Sequence, residues 1–262
     1  MSFSVLLARP EHVLEPTLAD AIAAVRKIPR VDAARAARSA YGIVGEGLDE
    51  PAAQALAGVL NERGLTALVR PDAALAALPP VMQAQAAALS GEGIVIKLAD
   101  GRQGELKWAN VSLTAFFGYK TKTTVAAGEP QGPSLGAQVL RTGLLVTTGI
   151  PLPGGKKKAE PKTVEQVVTV FAFDLFARTP ATRIRIPTQP FDFTCLGAQM
   201  APSAQSNLMV LFRLALERAP RALRNAGARH VLERRPLSNL PYDSLKDLDR
   251  ECRWLLSLPP VQ

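Results

Sequence analysis

The chain has 262 residues, 47% of them hydrophobic, with a formal net charge of +8, which is ample for two ordinary cores. No run approaches the roughly eighteen apolar residues of a spanning helix. Two cysteines and two histidines exclude a disulfide framework and a recognisable metal-ligand cluster.

The opening run of Phe3, Val5, Leu6 and Leu7, closed by Pro10, predicts a strand. No basic start, long apolar stretch and small-residue cleavage site follow one another at the amino terminus, so no secretory signal is expected. A helix over Thr17 to Ile28 places Leu18, Ile22, Val25 and Arg26 on one face, and Pro29 ends it. An Ala-rich helix over Val31 to Ala40, a short strand over Tyr41 to Val44 and a turn over Gly45 to Gly47 come next. Asp49 then caps a helix with Pro51 near its start, where a missing N–H costs little. Its expected buried stripe is Ala55, Leu56, Val59 and Leu60; Gly64 ends the helix, and Leu65 to Val69 closes the unit as a strand.

The segments FSVLL, IAAVRKIPRVDAARAA and VGEGLDEPAAQALAGVLNERGLTALV resemble the carboxy-terminal domain of the large ribosomal stalk protein. The same small fold is similar to that of the protease adaptor for amino-terminal degrons. This resemblance covers about a quarter of the chain and implies a strand-helix-helix-strand-helix-strand domain over 1–72. In the stalk family a basic, apolar helical face docks translation GTPases. That implies protein docking through Ile22, Arg26 and Arg35, which fall at matching positions, with Ala23 where a lysine is usual.

Pro71, Pro79 and Pro80 bracket an Ala-rich stretch, so 73–90 is expected to be a linker with a connecting helix over Val81 to Leu89. A second domain over 91–262 follows. Asp100-Gly101 between Ile94 to Leu98 and Gly104 to Trp108 is a strong hairpin signal. Further strands are expected over Val111 to Phe117, Gln138 to Thr148, Val164 to Ala177 and Thr182 to Pro187. Strands without intervening helices predict an antiparallel β-barrel or sandwich. Helices close the chain: one capped by Ser203 with Leu208, Leu211, Phe212, Ala215 and Leu216 on one face, one over Arg221 to Glu233, and one carrying Leu245, Leu248, Trp254, Leu255 and Leu256. The run DGRQGELKWANVSL, a hairpin entering a Trp-ended strand, resembles the pleckstrin-homology-like barrel. The fold class is thus expected to be α+β, a small α/β domain followed by a barrel or sandwich with C-terminal helices.

Charge is uneven: 8 basic against 9 acidic residues over 1–80, and 23 against 14 over 81–262. Lys156, Lys157, Lys158 and Lys162 form a cationic loop between two predicted strands, the candidate for anion binding to lipid headgroups or nucleic acid. Arg221, Arg224, Arg229, Arg234 and Arg235 make a second basic group. Without interleaved aromatics or a zinc-finger or helix-turn-helix signature they are expected to pair internally with Glu217, Glu233, Asp243, Asp247 and Asp249. His12, His230, Cys195 and Cys252 stand without catalytic neighbours, and Phe191, Phe193, Tyr242 and Trp254 are expected in the core. No catalytic, cofactor-binding or metal-ligating set emerges. The sequence therefore points to a noncatalytic, cytoplasmic two-domain interaction or scaffold protein with a protein partner; peripheral anion binding through the lysine loop is the alternative.

Overall fold

The computed structural model describes residues 1–10, 16–126, 163–240 and 242–259. Two compact units are present, Met1–Tyr119 together with Thr169–Gln262, and Lys120–Val168. Within the second, the described residues are the outer ends of two long strands.

The first module runs β1 (Phe3–Leu7), α1 (Pro16–Arg26), α2 (Arg30–Ala40), β2 (Ile43–Leu48), α3 (Glu50–Glu62) and β3 (Ala67–Pro71). β1 lies central in a sheet of order β2-β1-β3, antiparallel to both neighbours, with Val5 opposite Val69 and Leu6 opposite Leu68. Its central place suits Val5, Leu6 and Leu7, all fully buried. The Asp49 side chain accepts from the Ala52 amide at 2.8 Å and starts α3. Three details differ from expectation. Tyr41 belongs to a left-handed turn before β2, not to the strand. Gly45–Gly47 lies inside β2, because pairing with β1 continues as far as Leu48 opposite Phe3. The α3 stripe is Ala53, Leu56, Ala57 and Leu60, with Ala55 exposed and Val59 half-buried, so the apolar face is rotated by part of a turn.

The chain continues with β4 (Val81–Leu89), β5 (Gly93–Leu98), β6 (Gln103–Lys107), β7 (Val111–Ala126), β8 (Thr163–Arg178) and β9 (Ala181–Pro187). After these come α4 (Ala204–Arg218), β10 (Leu223–Arg224), α5 (Ala226–Leu232) and α6 (Leu245–Ser257). The β5–β6 hairpin forms as predicted, Ile94 opposite Leu106, with Gly101 at φ +84°. Val81–Leu89 is a strand, not a connecting helix: Val81–Gln83 pairs parallel to β9, and Ala84–Leu89 pairs antiparallel to β5. Helix propensity of alanine and glutamine is a weak prior, and ladder bonds on both sides override it.

The sheet order β10-β7-β8-β9-β4-β5-β6 is open, ending at β10 and β6, and includes parallel pairs. No closed antiparallel barrel exists among the described strands; the fold is mixed α/β with one large sheet. The helix expected over Arg221 to Glu233 is confined to α5, because Leu223–Arg224 pairs with β7 and Asn225 turns the chain. Buried Asn225 Oδ1 accepts from the Phe116 and Ala228 amides, and its Nδ2 donates to the Phe116 carbonyl. One side chain thereby extends the ladder and caps the helix.

Apolar packing covers both faces of the central strands. Leu113, Ala115 and Phe117 of β7, with Ala172 and Phe176 of β8, join the core of the first module and α6. Phe116, Phe173 and Leu175 face the opposite core, with Ile184 and Ile186 of β9 and Leu208, Leu211 and Phe212 of α4. Burial on both faces explains why the run FAFDLFA in β8 is almost continuously apolar, not alternating.

Candidate functional site

The face expected to dock a partner is only partly at the surface. Ile22 is 1% exposed and sits with Leu18, Ala19 and Ala21 in the core, which corrects its assignment as a docking residue: that side of α1 is consumed by packing against α2 and α3. Arg26 donates from Nη2 to the Val44 carbonyl at 2.7 Å, fastening the end of α1 to β2. The Arg35 side chain is 76% exposed, 3.9 Å from Asp32.

What this helix pair presents instead is centred on α2. Ala33, Ala37 and Ala40 are buried at helical spacing, so Val31, Arg35 and Arg38 lie on the opposite, exposed side. Val31 is 72% exposed. Arg30 pairs with Asp20 at 2.8 Å, and Lys27, at φ 53°, is exposed in the α1–α2 turn. Val31 escaped the sequence reading although a signal was there: a β-branched residue two positions ahead of the buried alanine series is out of phase with the core.

The remaining basic groups divide. Lys156, Lys157, Lys158 and Lys162, the strand expected over Gln138 to Thr148, and His12 lie outside the described residues. Arg235 pairs with Glu233 at 2.6 Å, and Arg229 lies 3.7 Å from Glu251. Asp249 is taken by Arg183 at 2.7 Å, and Asp247 closes a capping box with Ser244 at the start of α6. The expected pairing is therefore partial: no ion pair joins Arg221, Arg224 or Arg234 to Glu217, Asp243 or Asp247 among the described residues.

Buried titratable groups are engaged with one another. Asp174 is fully buried and accepts from Arg183 Nε at 2.7 Å and from Arg185 Nε at 2.8 Å. Burial pulls the Arg183 guanidinium down, but Asp174 and Asp249 outweigh it and hold the group above its ordinary range. Burial likewise raises the Glu251 carboxyl, against hydrogen bonds from the Tyr242 hydroxyl and the Ala226 amide. The Cys252 thiol is pushed far up by burial; half-buried Cys195 is also raised by burial and then by Asp192. His230 Nε2 lies 2.8 Å from the Pro236 carbonyl, which only accepts, so that nitrogen carries the proton. Phe193, Tyr242 and Trp254 are buried, and Phe191 packs edge-on to Phe193 at 4.8 Å.

Among the described residues no group of three or more His, Cys, Asp or Glu side chains is placed to hold a metal ion, and no helix is long and apolar enough to cross a membrane. None of the family models, the curated proteins or the solved structures compared with the chain matches it.

Proposed function

We propose that this chain is a noncatalytic interaction protein whose first module docks an acidic protein partner through the exposed side of α2. The observation that carries this reading is Val31, a large apolar side chain left 72% exposed one helical turn from the exposed Arg35. Lys27, Arg30 and Arg38 are exposed in the same helix pair, with Asp20 paired to Arg30 and Asp32 beside Arg35, so cations remain in excess. An apolar residue among excess cations suits a partner that offers an apolar anchor among carboxylates. The module has the strand-helix-helix-strand-helix-strand order that the stalk resemblance implies, and in that family helices serve for docking.

The test is capture from native extract on the immobilised full chain, comparing the wild type with Val31→Asp and Arg35→Glu. A discrete protein, retained by the wild type and lost from both variants while their folding is unchanged, is the expected result. Equal capture by all three would overturn the docking surface. Capture of anionic polymer alone, sensitive to salt, would move the function to the lysine loop.

A further inference from the structure

We infer that β6 is a self-association surface, to which a second copy of this chain adds its own β6 antiparallel, joining the two large sheets edge to edge. The surface is separate from the docking face on α2.

The sheets end on β2, β3, β10 and β6. In β2 the carbonyls of Ile43 and Val44 are taken by Arg250 and Arg26. In β3 the Ala67 amide is held by Asn61 Oδ1, and Pro71 offers no N–H. β10 is 2 residues long. β6 carries no such block. The Leu98 amide donates to the Arg102 carbonyl and the Trp108 amide to the Glu92 carbonyl. With Ile94 opposite Leu106, the residues of β6 that bond to β5 are Gly104 and Leu106. The N–H and C=O groups of Gln103, Glu105 and Lys107 therefore point outward, and all three residues are exposed. An edge of this kind is a template for a further strand.

The order of charges selects a second copy. Glu105 and Lys107 share the exposed face of the strand, on either side of buried Leu106. Centred on Leu106, antiparallel self-pairing sets Glu105 of each copy directly opposite Lys107 of the other, at positions that exchange both N–H···O bonds. Opposite charges so placed attract, and two-fold symmetry forms the pair twice. Neither side chain has an ion pair among the described residues, in contrast to Arg102, which holds Asp100 in the hairpin turn. Val95 lies across from Glu105 and is 40% exposed, so the lysine stem of the second copy has an apolar neighbour to cover. Pairing centred on Glu105 would oppose two glutamates, so the charges also fix the register. The competing reading is that Glu105 and Lys107 only keep other strands off the edge, as edge charges commonly do.

The test is analytical ultracentrifugation of the full chain at about 0.15 M salt, where the net charge of +8 is screened, at concentrations up to about 1 mM, the weak end of specific association. Expected is a reversible monomer–dimer equilibrium that closes at two copies, because each chain has one β6 edge. Glu105→Lys and Lys107→Glu each place like charges in both pairs and are expected to weaken dimerisation about tenfold or more. The double variant exchanges the signs and is expected to restore it to within about threefold. Both residues are exposed, so the reversals are expected to leave the melting temperature of the monomer unchanged. Lys107→Pro removes an outward N–H at a position already at φ −70°, so the hairpin keeps its bonds and the dimer is expected to be lost. A wild type that stays monomeric throughout would overturn the proposal and assign the two charges to guarding the edge. A dimer indifferent to the single reversals, or not restored by the double one, would overturn it as well, because it would form through another surface.

Discussion

The indole of Trp254, near the end of α6, lies directly on the backbone of Gly42, so closely that a Cβ at Gly42 would fall within the ring atoms. Trp254 Nε1 donates to the Leu7 carbonyl at 2.7 Å, in the strand beside that glycine. The same helix sends Arg250 to the carbonyls of Ala40 and Ile43 and to Glu46, and Arg253 to Glu46. A helix more than 200 residues away in sequence thus closes the core of the first module.

Gly42 also stands at φ +86°, so alanine there meets backbone strain and the indole together. Gly42→Ala is expected to cost about 3 kcal/mol or more, the sum of a left-handed penalty and overpacking. Chemical denaturation of the full chain checks it, and a loss below about 1 kcal/mol would mean that the indole moves aside freely.

Asp174 pairs with two arginines in the core, Arg183 at 3% and Arg185 at 11% side-chain exposure, and Asp249 supplies a second carboxylate to Arg183. Removing it strands Arg185 and leaves Arg183 with Asp249 alone, and Asp174→Ala is expected to destabilise by about 3–5 kcal/mol. Replacing all three residues with apolar side chains should recover much of that loss, because the desolvation of the charges disappears with them. Equal instability of the single and triple variants in urea titrations would contradict this account.

Glu251 predicts a pH dependence. Burial raises its carboxyl in the folded state, so its contribution to stability is fully present below the unfolded value of about 4.5 and is lost as pH rises through the folded value. The wild type is therefore expected to lose stability relative to Glu251→Gln between pH 4.5 and neutrality, by at most about 1.4 kcal/mol per pH unit. Urea midpoints of both proteins across that interval measure the difference. Parallel profiles would show that Glu251 titrates alike in both states.

The two thiols should separate by access. Cys252 is fully buried and its thiol is pushed far up by burial, whereas Cys195 is half-buried and more modestly raised. With a disulfide reagent at neutral pH, the native chain is expected to release one slow equivalent from Cys195 and a second only in denaturant. Immediate reaction of both thiols in the native chain would place Cys252 nearer the surface than this packing allows.

Local signals were legible because each had a nearby physical cause. Asp49 with Pro51 marked the start of α3, Gly64 its end, and Asp100-Gly101 the β5–β6 hairpin. Ser203 and the apolar face of α4 were readable for the same reason. The proposed docking surface was only half legible: α1 and α2 were found, but Ile22 lies in the core and Val31 on the surface, because the rotation of a helix about its axis is set by its neighbours.

By itself the sequence determined the elements whose signals act over a few residues: caps, turns, helical stripes and the strand-helix-helix-strand-helix-strand order of the first module. Only the tertiary structure decided that Val81–Leu89 is a strand, that the large sheet stays open between β10 and β6, and that Trp254 completes the core around Gly42. The pairing of Val81–Gln83 with β9, the sheet order and the indole contact rest on partners far apart in the chain. Ladder bonds and packing supply more free energy than the local preferences of the same residues, and they exist only once the chain has folded.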